Sequence, residues 1–177
     1  MNKVYGHFKT ITTHKVKVMK LCFKCGLYKQ GLLHDLSKYS PVEFLSGVKY
    51  YQGYRSPISY EKEAIGYSKG WLHHKGRNKH HFEYWIDSID GKFQGIEMPT
   101  CYLIEMFCDR IVASQVYKKE AYKDDSALEY FLNAKEGYDL MHPQTKQDLE
   151  FLLTHVKDHG LDATVEYIRK NILKNKK

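Results

Sequence analysis

The chain has 177 residues, of which 42% are hydrophobic and 28% charged, with 4 prolines and a net charge of +7. This length and composition fit one domain with a hydrophobic core and exclude a disordered or fibrous protein. No stretch approaches the roughly 18 apolar residues of a membrane span, and the N-terminus lacks a signal peptide's apolar run, so we expect a cytoplasmic protein without a membrane partner.

Helical periodicity dominates the first part of the chain. The apolar face of the first predicted helix carries Ile11, His14, Val18, Cys22 and Cys25. Gly26 is placed to end this helix. The segment from Ser40 to Glu43 predicts the start of another helix, because Ser caps, Pro suits the first turn and Glu completes a capping box. We expect that helix to end at Gly53.

The middle of the chain contains a third helical pattern from about 60 to 75 and a short one from His80 to Trp85. Asp90-Gly91, Gly95 and Pro99 mark the longest loop. No alternating run bounded by turns predicts a strand.

Pro99 starts a strongly apolar helix over 102–116. One face of that helix carries Tyr102, Met106, Asp109 and Ala113. Further helices are predicted at about 125–137, 143–159 and 162–173. The pattern as a whole predicts an all-α fold.

The four cysteines are expected to be reduced. Cys22 and Cys25 form a CxxC, but they lie at helical spacing among apolar residues, and no second CxxC follows. We interpret them as buried structural thiols.

Histidines and aspartates recur at positions that favour a metal site. In chain order these are His14, His34-Asp35, His73-His74, His80-His81 and Asp109. Imidazoles and carboxylates bind borderline and hard divalent metals, and helical bundles build such sites from facing helices. Each residue alone is also typical of a structural histidine or a helix cap. Asp109 lies among apolar neighbours, where a carboxylate requires a cation or a hydrogen-bonding partner.

The motifs around these residues resemble a known superfamily. The run from His34 to Lys38, His-Asp-Leu-Ser-Lys, resembles the HD-x-[GS]-K motif of the HD-domain metal-dependent phosphohydrolases. Those proteins are all-α and have metal ligands in the order H…HD…H…H…D. The segment His80–Trp85, followed by Gly91, Pro99 and Asp109, is similar to a stretch of HD-GYP-type phosphodiesterases.

Together with the Asn-x-His-His-x-Glu-Tyr-Trp segment from Asn78 to Trp85, the first motif also resembles a small uncharacterised family of phage and bacterial proteins assigned to this fold. The resemblance spans about 14–116 and leaves the last third of the chain uncovered. Ser37 replaces the usual Gly, the GYP tripeptide is absent, and Glu83 lies one residue late. Cyclic-dinucleotide specificity is therefore not expected.

The resemblance implies roles for these residues. One metal is expected to bind His14, His34 and Asp109, and a second His74, His80 and His81, with Asp35 bridging the two. His74 is preferred only slightly to His73, because their helix phase is open. The resemblance assigns catalytic roles to Asp35 and Lys38 and substrate-phosphate contacts to Lys38, Arg77 and Asn78. One or two divalent ions are expected, and Mn, Fe, Zn, Ni, Co and Mg all remain open.

The domain organisation follows from these assignments. We predict a single HD-like helical bundle over 1–173, with the metal-site part at about 7–118, C-terminal helices at about 125–173 and a basic tail at 174–177. The expected activity is that of a metal-dependent phosphohydrolase or phosphodiesterase acting on a small phosphate-bearing substrate such as a nucleotide. The alternatives are a nucleic-acid-binding helical module that uses the +7 charge and a di-iron oxygenase on the same fold.

Overall fold

The structure, a computed structural model, describes residues 2–174, apart from the side chains of residues 135 and 136. Within these residues the chain folds as one all-α bundle. Its helices are α1 (Lys3–Cys25), α2 (Tyr28–Leu33), α3 (Pro41–Lys49), α4 (Pro57–Ile65), α5 (Lys69–Lys75), α6 (Thr100–Lys118), α7 (Ser126–Asn133), α8 (Pro143–His159) and α9 (Leu161–Tyr167). A π-helical segment, Ile168–Leu173, continues α9.

None of these helices is long and apolar enough to cross a membrane. The predicted basic tail lies, beyond Lys174, outside the described residues.

The core forms where α1, α6 and α8 pack together. Val18 of α1, Phe107 of α6 and Leu149 of α8 are fully buried, so these helices exclude water from each other's apolar faces. Asn2 caps the start of α1, and Gly26, at φ 91°, ends it as predicted. The two longest helices of the described chain, α1 and α6, therefore pack side by side.

The predicted cysteine environment is confirmed. All four cysteines are free, and Cys22, Cys25 and Cys108 are buried in the core. The Sγ atoms of Cys25 and Cys108 lie 3.9 Å apart between α1 and α6.

Two predicted helix boundaries are wrong. The predicted capping box does not form: the Ser40 side chain makes no cap hydrogen bond, Glu43 is buried against histidines, and α3 ends at Lys49 rather than at Gly53. The pattern at 60–75 is two helices, because Gly66 adopts φ 83° and ends α4. The Ser68 side chain then caps α5 by accepting from the Trp71 backbone N–H.

A short hairpin replaces part of the predicted loop. Strands β1 (Ile86–Ile89) and β2 (Lys92–Gly95) pair antiparallel, with Ile86 opposite Gly95. Asp90 and Gly91 both have positive φ, 51° and 75°, which matches the tight hairpin turn that Asp-Gly favours. Both strands are largely exposed, so neither shows the apolar alternation by which strands are recognised.

Gly95 gives a direct test of how the hairpin is docked. A Cβ at this position would lie 2.2 Å from the Leu140 carbonyl oxygen and 2.5 Å from the His142 nitrogen. Because these are backbone atoms, we expect Gly95→Ala to lower the free energy of unfolding by about 1–3 kcal/mol. The matched control is Gly137→Ala, whose new Cβ would meet nothing within 4 Å. Thermal and urea unfolding of both variants check this, and equal stabilities would contradict the close backbone approach.

Candidate metal centre

The candidate site is assembled from separate elements of the chain. His14 lies on the buried face of α1, His74 on α5, and Asp109 on α6. His80 and His81 lie in the turn after α5, and His34 and Asp35 directly follow α2. Of these residues, His14, His34, Asp35, His74 and His80 are buried.

The turn at His34-Asp35 depends on an unusual backbone conformation. Asp35 is one of the few described residues other than glycine with positive φ, at 56°, and Asp tolerates this region better than most side chains. Lys15 of α1 donates hydrogen bonds to the backbone carbonyls of Leu32 (2.8 Å) and His34 (2.7 Å). These bonds satisfy carbonyls at the end of α2 and fix the turn against α1.

Asp35 lies at the centre of the site and is only 1% exposed. Its Oδ1 lies 3.3 Å from His74 Nε2 and 3.5 Å from His80 Nε2. Its Oδ2 lies 3.3 Å from His34 Nε2 and 3.7 Å from His14 Nε2. The two oxygens of one carboxylate thus face two different sets of imidazoles.

Asp109 belongs to the Oδ2 side. Its Oδ1 is 2.8 Å from His14 Nε2 and 3.7 Å from His34 Nε2. Two groups of side chains therefore share Asp35, each with ligand atoms within 4.8 Å of one another and each able to hold a metal ion. The Oδ2 group is His14, His34, Asp35 and Asp109, and the Oδ1 group is Asp35, His74, His80 and His81.

Several atoms of these groups are buried without a hydrogen-bond partner. They are Asp35 Oδ1 and the Nε2 atoms of His34, His80 and His81. Asp35 Oδ2 has one close partner, the Lys38 ammonium group at 2.6 Å. Buried polar atoms are nearly always paired, because an unpaired one loses its water without compensation. A divalent cation would satisfy such oxygens and nitrogens together, so the donor set fits a metal.

The two aspartates of the site both have lowered pKa values. Burial alone would raise the pKa of Asp35, but His34, Lys38 and His74 overcome that effect and hold the pKa well below its usual range. Burial likewise opposes ionisation of Asp109, yet the hydrogen bond from His14 and the nearby His34 imidazole keep the pKa of Asp109 well below normal. Both carboxylates are therefore anionic near neutral pH, as metal ligands must be.

His81 has an unusually low pKa. Burial is the largest cause, and the electrostatic influence of His80 and His74 acts in the same direction, so the pKa of His81 lies well below its usual value. His81 is therefore neutral near pH 7, and its unpaired Nε2 is available as a ligand.

The structure separates the residues assigned to substrate binding. Lys38 Nζ lies 2.6 Å from Asp35 Oδ2, and Lys38 lines a cavity of about 760 Å³ together with His14 and Asp109. Arg77 does not reach this cavity. It lines a different pocket, of about 200 Å³, behind His80.

Arg77 and Asn78 therefore do not line the cavity that Lys38 lines, so the three residues do not face one substrate site as expected. The Asn78 side-chain amide donates instead to Ser37 Oγ (2.7 Å) and to the His74 carbonyl oxygen (2.8 Å). Asn78 therefore connects the end of α5 to the short 3₁₀ helix Leu36–Tyr39, which contains Lys38.

Comparison with known proteins adds one relationship. Residues 3–155 match the model of a family of unknown function, DUF5662. The chain belongs to this family. No curated protein and no solved structure matches the chain. The DUF5662 match covers every residue of both candidate ligand groups.

Two glutamates of this DUF5662 member that contact the histidines were not among the predicted site residues. Glu105 Oε1 accepts a hydrogen bond from His34 Nδ1 (2.9 Å) and lies 3.1 Å from His80 Nδ1, so it contacts one histidine of each ligand group. Glu43 accepts from His73 Nδ1 (2.6 Å) and His74 Nδ1 (2.7 Å). These bonds leave Nε2 of His34, His74 and His80 facing Asp35 and place His73 outside both groups.

A sequence signal for Glu105 existed. It precedes Asp109 by one helical turn in α6, among apolar residues, so both carboxylates share a buried face. Glu43 gave no such signal, because the capping-box pattern accounted for it.

We expect Glu105→Gln to weaken metal binding by about 10–100-fold, because the neutral amide orients the two imidazoles less firmly and lowers their basicity. The measurement is competitive titration of the metal-free protein with Co²⁺ or Zn²⁺ against a chromogenic chelator. Glu150→Gln, at an exposed position of α8, is the matched control and should bind like the unchanged protein. Equal affinities of the two variants would contradict the role of Glu105.

Proposed function

We propose that this chain is a metal-dependent phosphoric-ester hydrolase of HD-domain type that acts on a small phosphate ester such as a nucleotide. One observation carries the proposal. The Asp35 carboxylate presents each oxygen to a separate set of imidazoles. Asp35 Oδ1 and the Nε2 atoms of His34, His80 and His81 are buried there without hydrogen-bond partners. A bridging carboxylate between two ligand groups is what a pair of divalent ions requires.

The proposed metal sites use the two groups already described. His14, His34 and Asp109 would hold one ion, His74, His80 and His81 the other, with Asp35 shared. Imidazole-rich groups favour Zn, Fe, Ni, Co or Mn over Mg, which prefers oxygen ligands. Divalent ions held by these residues would supply Lewis-acid activation of a water molecule and of the phosphoryl group.

The protein's own contribution beside the ions is Lys38. Burial lowers the pKa of Lys38, but Asp35 and Asp109 raise it above its usual value, so the ammonium group stays charged. It lines the large cavity next to both ligand groups. In this position it neutralises charge on a phosphoryl oxygen and orients the ester toward the metal groups.

Elemental analysis tests the metal proposal. Protein purified without chelator or metal-affinity resin is expected to contain about two equivalents of transition metal. Asp35→Asn should lose both, since it removes the shared ligand, whereas His159→Gln, on the exposed face of α8, should keep them. Iron with a visible absorption band would favour an oxygenase over a hydrolase. A folded protein that does not bind added metal would contradict the proposal.

Lys38→Met separates substrate binding from metal binding. We expect this variant to keep its metal and to lose about 10²–10³-fold in kcat/KM on an aryl phosphate, because a fixed cation near the phosphoryl oxygens is gone. Lys20→Met, at an exposed position of α1, is the control and should retain full activity. If Lys38→Met hydrolyses the ester at the rate of the control, Lys38 has no role in the reaction.

A further inference from the structure

The large cavity beside the ligand groups is lined by two arginines in different states. Arg55 is fully engaged: Nη1 and Nη2 donate to Glu63 at 2.8 and 2.7 Å, and Nε donates to Gln52 at 2.7 Å. Arg110 has no such partner. Among the side chains that the structure describes, no carboxylate lies within ion-pair distance of its guanidinium group.

Arg110 is nevertheless held in a fixed position. Its Nη1 donates to the Tyr138 hydroxyl at 2.5 Å, and its guanidinium carbon lies 4.9 Å from the Tyr138 ring centre and 6.0 Å from that of Phe131. Stacking on aromatic faces and a hydrogen bond restrict the side chain before any ligand arrives. Such pre-organisation reduces the entropy lost on binding.

The remaining donors of this pair are weakly paired or lack acceptors among the described residues. Arg110 Nη2 donates to Met106 Sδ at 3.9 Å, and a thioether sulfur is a weak acceptor. Arg110 Nε is buried and has no hydrogen-bond partner. The Tyr138 oxygen accepts from Arg110, so the Tyr138 proton is free to be donated to another group. Both residues line the cavity that also contains Lys38 and Asp109. A partly buried cation with an unpaired N–H beside a free O–H is complementary to an anion.

Four acidic side chains line the same cavity, namely Glu43, Glu61, Glu83 and Asp109. Three of them have other partners: Glu43 accepts from His73 and His74, Glu61 accepts from Ser68, and Asp109 pairs with His14. The fourth, Glu83, forms no ion pair with Arg110 among the described side chains.

We propose that Arg110, together with the Tyr138 hydroxyl, binds a second anionic group of the substrate, at the end remote from the phosphoryl group that reacts. The substrate is thus a phosphate ester whose leaving part carries a carboxylate or another phosphate. This inference rests on the proposed hydrolase function. It assigns Arg110 to substrate recognition and not to the chemical step.

Binding of inert probes tests the inference independently of turnover. Metal-loaded protein is titrated by calorimetry with alkylphosphonates and with ω-carboxyalkylphosphonates of matched and increasing spacer length. At one spacer length the carboxylate should improve the affinity about tenfold or more, as a charge-assisted hydrogen bond does. Arg110→Gln should abolish this preference. Arg55→Gln, which removes the paired arginine of the same cavity, should leave it intact.

Two further measurements distinguish the outcomes. Arg110→Lys retains the charge without the Nε donor, so it should keep a reduced preference for the carboxylate-bearing probe. Melting curves verify that each variant folds. No carboxylate preference at any length, or a preference that survives Arg110→Gln, overturns the inference, while hydrolysis of a simple aryl phosphate would still support the proposed function. Absence of hydrolysis with an Arg110-dependent preference would leave the anion site in place and overturn the proposed function alone.

Discussion

The structure depends on one buried carboxylate. Asp35 is 1% exposed, and its oxygens face imidazoles that come from α1, the end of α2, α5 and the turn after α5. An isolated buried carboxylate would cost several kcal/mol, so the surrounding positive and metal-binding groups are a condition for its burial. The left-handed backbone of Asp35 and the Lys15 hydrogen bonds to the preceding carbonyls fix this carboxylate in the turn.

The histidines around Asp35 lie between two sets of carboxylates, one on the Nε2 side of the rings and one on the Nδ1 side. Their Nε2 atoms face Asp35 and Asp109, while the Nδ1 atoms of His34 and His80 lie 2.9 and 3.1 Å from Glu105 Oε1. Because Glu105 contacts one histidine of each ligand group, it couples the orientation of the two groups. The rigid core between α1 and α6 holds His14 and Asp109 at 2.8 Å from each other.

The C-terminal third of the chain contributes to the cavity and not to the ligand groups. Tyr138, which follows α7, and Phe131 of α7 hold the guanidinium group of Arg110 against the cavity wall. Gly95 of the hairpin lies close to the backbone of residues 140–142, so this part of the chain packs directly against the hairpin. Residues far from the metal-ligand motifs thus shape the space that a substrate would occupy.

The sequence by itself determined the helical class, the end of α1 at Gly26, the span of α8 over 143–159, and the histidines and aspartates that meet at Asp35. These features are local or carried by short motifs, because helix periodicity, caps and an adjacent His-Asp pair can be read within a few residues. Only the tertiary structure decided that His74 rather than His73 faces Asp35, that Arg77 lies behind the site, and that Glu43 and Glu105 orient the histidines. Those outcomes depend on helix phase and on contacts between residues 30 to 71 positions apart in the chain, which no local pattern encodes.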